Sequence, residues 1–124
     1  MNDQLDNSIW TRDIDPQILA RLQELAGLKI TSELVVMYLH RGVQLLESIR
    51  VGLEIEDYKA IKDAAHSLIS SAGNLGGNKV SGIAKQIEHA AIEKESQRIP
   101  DLIERMADAQ ETFQRYLNKE LEKI

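Results

Sequence analysis

Cysteine is absent from this 124-residue chain. There is therefore no disulfide, thiolate nucleophile or cysteine-ligated metal, and nothing marks an oxidising compartment. Proline occurs twice and aromatic residues make up 4% of the chain. β-Branched residues do not alternate at period two for long, so sheet gives way to an all-α reading. Long apolar runs are also missing. None approaches the ~20 residues that cross a bilayer, and MNDQLDNSIWTRD has no basic segment followed by an apolar one. A soluble, cytoplasmic protein is expected. The remaining absence is concentrated positive charge. The formal net charge is −5 and the lysines and arginines are dispersed, so a phosphate backbone meets net repulsion and nucleic acid is not an expected partner.

What is present reads as one helical domain over residues 1–124, with 1–12 as an N-terminal extension. In DIDPQILARLQELAG, Asp15 is the expected N-cap, Pro16 takes the first helical position and Gly27 is the stop. Leu19, Leu22 and Leu25 form its stripe, and Ile14 with Leu19 is placed for a hydrophobic staple. A second helix is expected from a Thr31/Ser32 cap, with Val35, Tyr38, Leu39, Gly42, Leu46, Ile49 and Leu53 on one face; about 22 residues span about 33 Å. After the EIED turn, Tyr58, Ile61, Ala65, Leu68, Ala72 and Leu75 mark a third helix that stops at GNLGG. Val80, Ile83, Ala84, Ile87 and Ala91 mark a fourth. The last begins near Pro100 and carries Leu102, Met106, Ala109, Phe113, Leu117 and Leu121. Short connections predict an antiparallel up-down-up-down four-helix bundle, with the short first helix packed across one end.

The third helix raises the functional question. At 100° per residue its core direction lies about 130° from His66, so the imidazole is expected to face outward. Its neighbours on that ridge are Lys59, Lys62, Ser70 and Gly73, with Ile69 toward the core edge. Small residues beyond the histidine suggest room for something to approach it, although Gly73 also serves as the start of a helix stop. Counting outward from Gly77 places Glu88 level with His66 across the bundle, with Lys85 or His89 as alternatives at that height. A carboxylate accepting from Nδ1–H would orient the ring and leave the Nε2 lone pair free, as a nucleophilic imidazole requires.

AHSLISSAGNLGG resembles the signature of histidine-containing phosphotransfer (HPt) domains of bacterial multistep phosphorelays, roughly A-H-x-L-K-G-S-S-x-x-hydrophobic-G. His66, Leu68, Ser71, Leu75 and Gly76 match it, and the D-P-x-x-L-x-x-L opening, long second helix and acidic turn extend the likeness over nearly the whole chain. The resemblance implies a four-helix bundle with a short extra N-terminal helix. It also implies a monomeric phosphocarrier rather than an enzyme. His66 would be the phosphoacceptor and Glu88 would orient its imidazole, while Lys59, Lys62, Ile69, Ser70 and Gly73 would meet the partner. The implied partners are receiver domains of a hybrid sensor kinase or a response regulator. The chain itself would bind no cofactor, with magnesium supplied by the receiver. Two residues depart from the pattern: Ile69 stands where a basic residue is usual, and Ser70 where a glycine is. Lys62, one turn before His66, is a candidate substitute for the missing charge. A degenerate domain that docks receivers without accepting phosphate is the alternative reading.

Other candidates carry less. His40 has no such context, and His89 flanks Glu88 as a solvated residue. One Asp63-to-His66 pair facing outward does not supply the repeated inward carboxylate and histidine ligands of a di-iron bundle. Ser67 and Ser70 share the histidine's helix but no oxyanion motif accompanies them. Trp10 is a candidate cover for the bundle end.

Overall fold

The computed structural model of the chain describes residues 13–124; Trp10 and the rest of the N-terminal extension lie outside them. Among the described residues there are four helices and no strand: α1 (Pro16–Glu54), α2 (Tyr58–Gly73), α3 (Asn78–Ile92) and α4 (Ile99–Lys123). The connectors span only 55–57, 74–77 and 93–98. Connections this short turn each helix back along its predecessor, and each helix packs on its two neighbours in a closed ring.

α1 begins as its sequence dictates. The Asp15 carboxylate accepts from the Gln17 N–H at 3.0 Å, and Pro16 fills a position whose N–H would have no partner. The two expected helices meet at Gly27, whose φ of 88° and ψ of 166° are not helical and divide the run Pro16–Glu54 at the predicted stop. A side chain at that φ would be strained, so glycine permits a kink that needs no linker. Helix resumes at once, and Thr31 and Ser32 do not cap it. Their hydroxyls donate to the carbonyls of Gly27 and Leu28, each at 2.8 Å, one turn back inside a helix already formed. The first stripe also ends early. Leu19 is buried and Leu22 half-buried, but Leu25 is 80% exposed because no helix covers the last turn before the kink.

Inside the ring, Ile61, Leu68, Ile87, Ile99, Met106, Phe113 and Leu117 are fully buried. Each such side chain contributes about 1.5–3 kcal/mol of burial. Phe113 meets Tyr38 edge-on with ring centroids 5.2 Å apart, the orientation favoured by the aromatic quadrupole. One polar link crosses this core. The Tyr38 hydroxyl donates to Gln110 Oε1, and Gln110 Nε2 donates to the Gly42 carbonyl at 3.0 Å. Every atom of that buried link has a partner, which fixes α4 against α1 at one height.

The glycine-rich turn between α2 and α3 does more than stop a helix. Gly76 has a φ of 89°, its carbonyl accepts from the Asp15 N–H at 2.9 Å, and the Lys79 N–H donates to the Asp13 carbonyl at 3.0 Å. A Cβ at Gly76 would lie 2.5 Å from the Asp15 oxygen, and one at Gly77 would lie 2.5 Å from Phe113 Cε2. These two glycines therefore admit the N-cap residue of α1 and the ring of Phe113. This is how the segment before Gly27 is held across the end of the bundle.

Candidate functional site

α2 owes its register to Asp57, whose carboxylate caps the helix by accepting from the Ala60 N–H at 3.0 Å. Ile61, Ala64, Ala65, Leu68 and Ala72 then turn inward as the buried face. With that face fixed, His66 must point away from it. Its side chain is 74% exposed, and Nδ1 lies 2.8 Å from Glu88 Oε2 on α3. Glu88 is only 24% exposed. The more buried partner is thus the carboxylate from the packed helix, and it steers the freer ring.

The proton arrangement follows from chemistry. An ionised carboxylate accepts and does not donate, so Nδ1 carries the hydrogen and Nε2 of the neutral ring keeps its lone pair. Nε2 has no hydrogen-bond partner among the described residues. Of the three residues considered at this height, Glu88 meets the imidazole, while Lys85 and His89 are exposed on the same helix.

The remaining ridge residues divide. Lys59 Nζ donates to Asp63 Oδ2 at 2.8 Å, and Lys62 Nζ lies 3.7 Å from Asp63 Oδ1. The Lys59 hydrogen bond holds the Asp63 carboxyl below its ordinary range, and the same contact raises the Lys59 ammonium. Ser70 is exposed, and Ile69 is half-buried against the core. At Gly73 a Cβ would meet Ser81 Oγ at 3.5 Å, an ordinary contact, and at Gly82 on α3 it would meet nothing within 4 Å. Neither of these two glycines is demanded by packing within the bundle, in contrast to Gly76 and Gly77.

Two features escaped sequence reasoning. Ser81 Oγ donates to the Ile69 carbonyl at 2.9 Å, tying α3 to α2 one turn beyond the histidine; a lone serine on a helix gives no signal of this. A groove of about 470 Å³ also runs beside α2, lined by Leu22, Leu34, Met37 and Arg41 together with Ser71 and Asn74. Its signal was present in the sequence, because Leu34 and Met37 lie off the core stripe and are apolar without being buried. Among the described residues no cluster of three His, Asp or Glu side chains is placed to hold a metal ion, and no helix is long and apolar enough to cross a membrane.

A helical bundle presenting a carboxylate-oriented, exposed imidazole defines the class of phosphotransfer domains. A family model described as the Hpt domain matches residues 33–123, and the chain belongs to that family. It is a phosphotransfer carrier of the phosphorelay type. The chain is similar to the crystal structure of histidine-containing phosphotransfer protein B (HptB) from Pseudomonas aeruginosa PAO1, with a TM-score of 0.87 and 26% identity. That match covers 91% of this chain and 97% of the other. No curated protein matches it.

Proposed function

We propose that His66 accepts a phosphoryl group from the aspartyl phosphate of a receiver domain and passes it to a response-regulator aspartate. The observation that carries this reading is the pairing of an exposed imidazole with Glu88 through Nδ1 at 2.8 Å. That pairing leaves Nε2 as the free nucleophile. In the transfer, the Nε2 lone pair forms a bond to phosphorus as the bond from phosphorus to the aspartyl oxygen breaks. The bonding pair leaves with the receiver's carboxylate. The Nδ1 hydrogen stays in place, and the positive charge that develops on the phosphorylated ring is met by Glu88. Onward transfer reverses these steps on a second carboxylate.

The bundle's part is positioning, the kind of contribution on which phosphoryl transfer chiefly depends. The receiver supplies the magnesium ion, and this chain supplies no cofactor. Ser70 and Gly73 leave clearance beside the ring, and Lys59, Lys62 and Ile69 complete the contact face. The protein acts as a cytoplasmic monomer whose partners are receiver domains, not nucleic acid or membrane.

One observation favours a second reading. Ile69 puts an apolar side chain one turn beyond the histidine, where a phosphoryl group would be served by a cation, so a module that docks receivers without accepting phosphate is the competitor. Incubation with phosphorylated receiver domains separates the two. Transfer places acid-labile, base-stable phosphate on this chain and strips it from the receiver. Binding with no such label would replace transfer by docking.

A further inference from the structure

Transfer to His66 brings a group carrying about two negative charges against a neutral ring. A cation near Nε2 would offset that charge in the low-dielectric contact between two domains. α2 offers only Lys59 and Lys62, and both are drawn to Asp63, at 2.8 and 3.7 Å. One carboxylate therefore neutralises part of the charge on that side of the histidine. On the other side stands Ile69.

α3 supplies what α2 lacks. Ser81 Oγ reaches the Ile69 carbonyl at 2.9 Å, and Glu88 Oε2 reaches His66 Nδ1 at 2.8 Å. Two residues seven apart on one helix, each touching α2, define the face of α3 that borders the imidazole. Lys85 lies between them, four residues after Ser81 and three before Glu88, on that same face. Its Cβ is then about 5–6 Å from those of both neighbours. Because the helices are antiparallel, a residue between these contacts stands at the height between Ile69 and His66. Lys85 is exposed and belongs to none of the ion pairs among the described residues. A flexible ammonium at this place is free to swing over the ring, and Gly82, one turn earlier, adds no bulk beside it.

We propose that Lys85 is the cation that contacts the phosphoryl oxygens during transfer to and from His66 Nε2, a charge that reaches the site from α3 because α2 presents isoleucine there. The proposal rests on the transfer reading above. The bonds made and broken are those already given; Lys85 stays protonated throughout and takes no proton.

The test uses the full chain and receiver domains charged with a small-molecule phosphodonor, following the rate at which label moves onto this chain. Lys85→Ala should slow transfer by about tenfold, the size of one charge-assisted contact made during transfer, with its far-UV circular dichroism melt unchanged. Lys85→Arg should restore most of the rate, and Ile69→Lys should rescue Lys85→Ala by returning a cation from α2. Equal rates in wild type and Lys85→Ala, or a larger loss in Lys62→Ala, would overturn the contact while leaving the transfer reading intact. A wild-type chain that takes no label would overturn both.

Discussion

Glu88 decides what His66 can do. A histidine that is mostly exposed has many rotamers available, and the half-buried carboxylate from α3 selects one of them. Removing it frees the ring without disturbing the core. Glu88→Ala is expected to lower the rate of phosphoryl transfer about 10- to 100-fold, as misplacement of a reacting atom does, and Glu88→Gln should retain more because an amide oxygen still accepts from Nδ1–H. A transfer rate in Glu88→Ala equal to wild type, measured at saturating receiver, would show that the ring is held by something else. Tyr38 is the other decisive residue. Burial pushes its phenol well above the usual value, and burial also raises Tyr116. A phenol that holds its proton more tightly when folded contributes stability that is complete below the unfolded value of about 10 and is lost as pH rises beyond it. The urea midpoint should therefore fall between about pH 9 and about pH 11. An unchanged midpoint would mean that Tyr38 ionises without leaving its place.

The glycines around the α2–α3 turn act at the scale of whole helices, and they sort into two kinds. A Cβ at Gly76 or Gly77 would lie 2.5 Å from Asp15 or Phe113, so these two glycines let α1 and α4 close on the turn. Gly73 is pressed by nothing closer than 3.5 Å. Gly77→Ala should destabilise the chain by about 1–3 kcal/mol through overpacking against Phe113. Gly73→Ala should raise stability by about 0.5–1 kcal/mol, because it ends a regular helix, yet slow transfer by narrowing the approach to His66. Thermal melts and transfer rates on the same two variants test this, and a Gly73→Ala variant with full activity would reduce that glycine to a helix stop. The sequence carried much of this level. Period-3.6 stripes and short connectors were enough for the bundle, and equal counts either side of Gly77 brought Glu88 to His66. The stop at Gly27 was legible, but not that the next helix starts directly after it: Thr31 and Ser32 read as caps, yet their hydroxyls bond back one turn inside it. Leu25 was misplaced because periodicity names a face but does not say where its covering helix stops. The contact between Ser81 and Ile69 was hidden because it depends on rotation between two helices, which no single-helix pattern records.

At the scale of the molecule, the four helices are a rigid stand for one exposed imidazole. α2 presents the ring, and α3 orients it through Glu88; α1 and α2 together line an apolar groove. The buried link from Tyr38 through Gln110 to Gly42 keeps that stand from sliding. The family relationship supports phosphotransfer in a phosphorelay, and the route proposed for it runs between receiver aspartates. The direct measurement is transfer from a phosphorylated receiver to the wild-type chain and to His66→Gln, side by side. Wild type should gain acid-labile, base-stable phosphate and His66→Gln none, with both binding the receiver. Label persisting in His66→Gln would contradict the assignment of the acceptor.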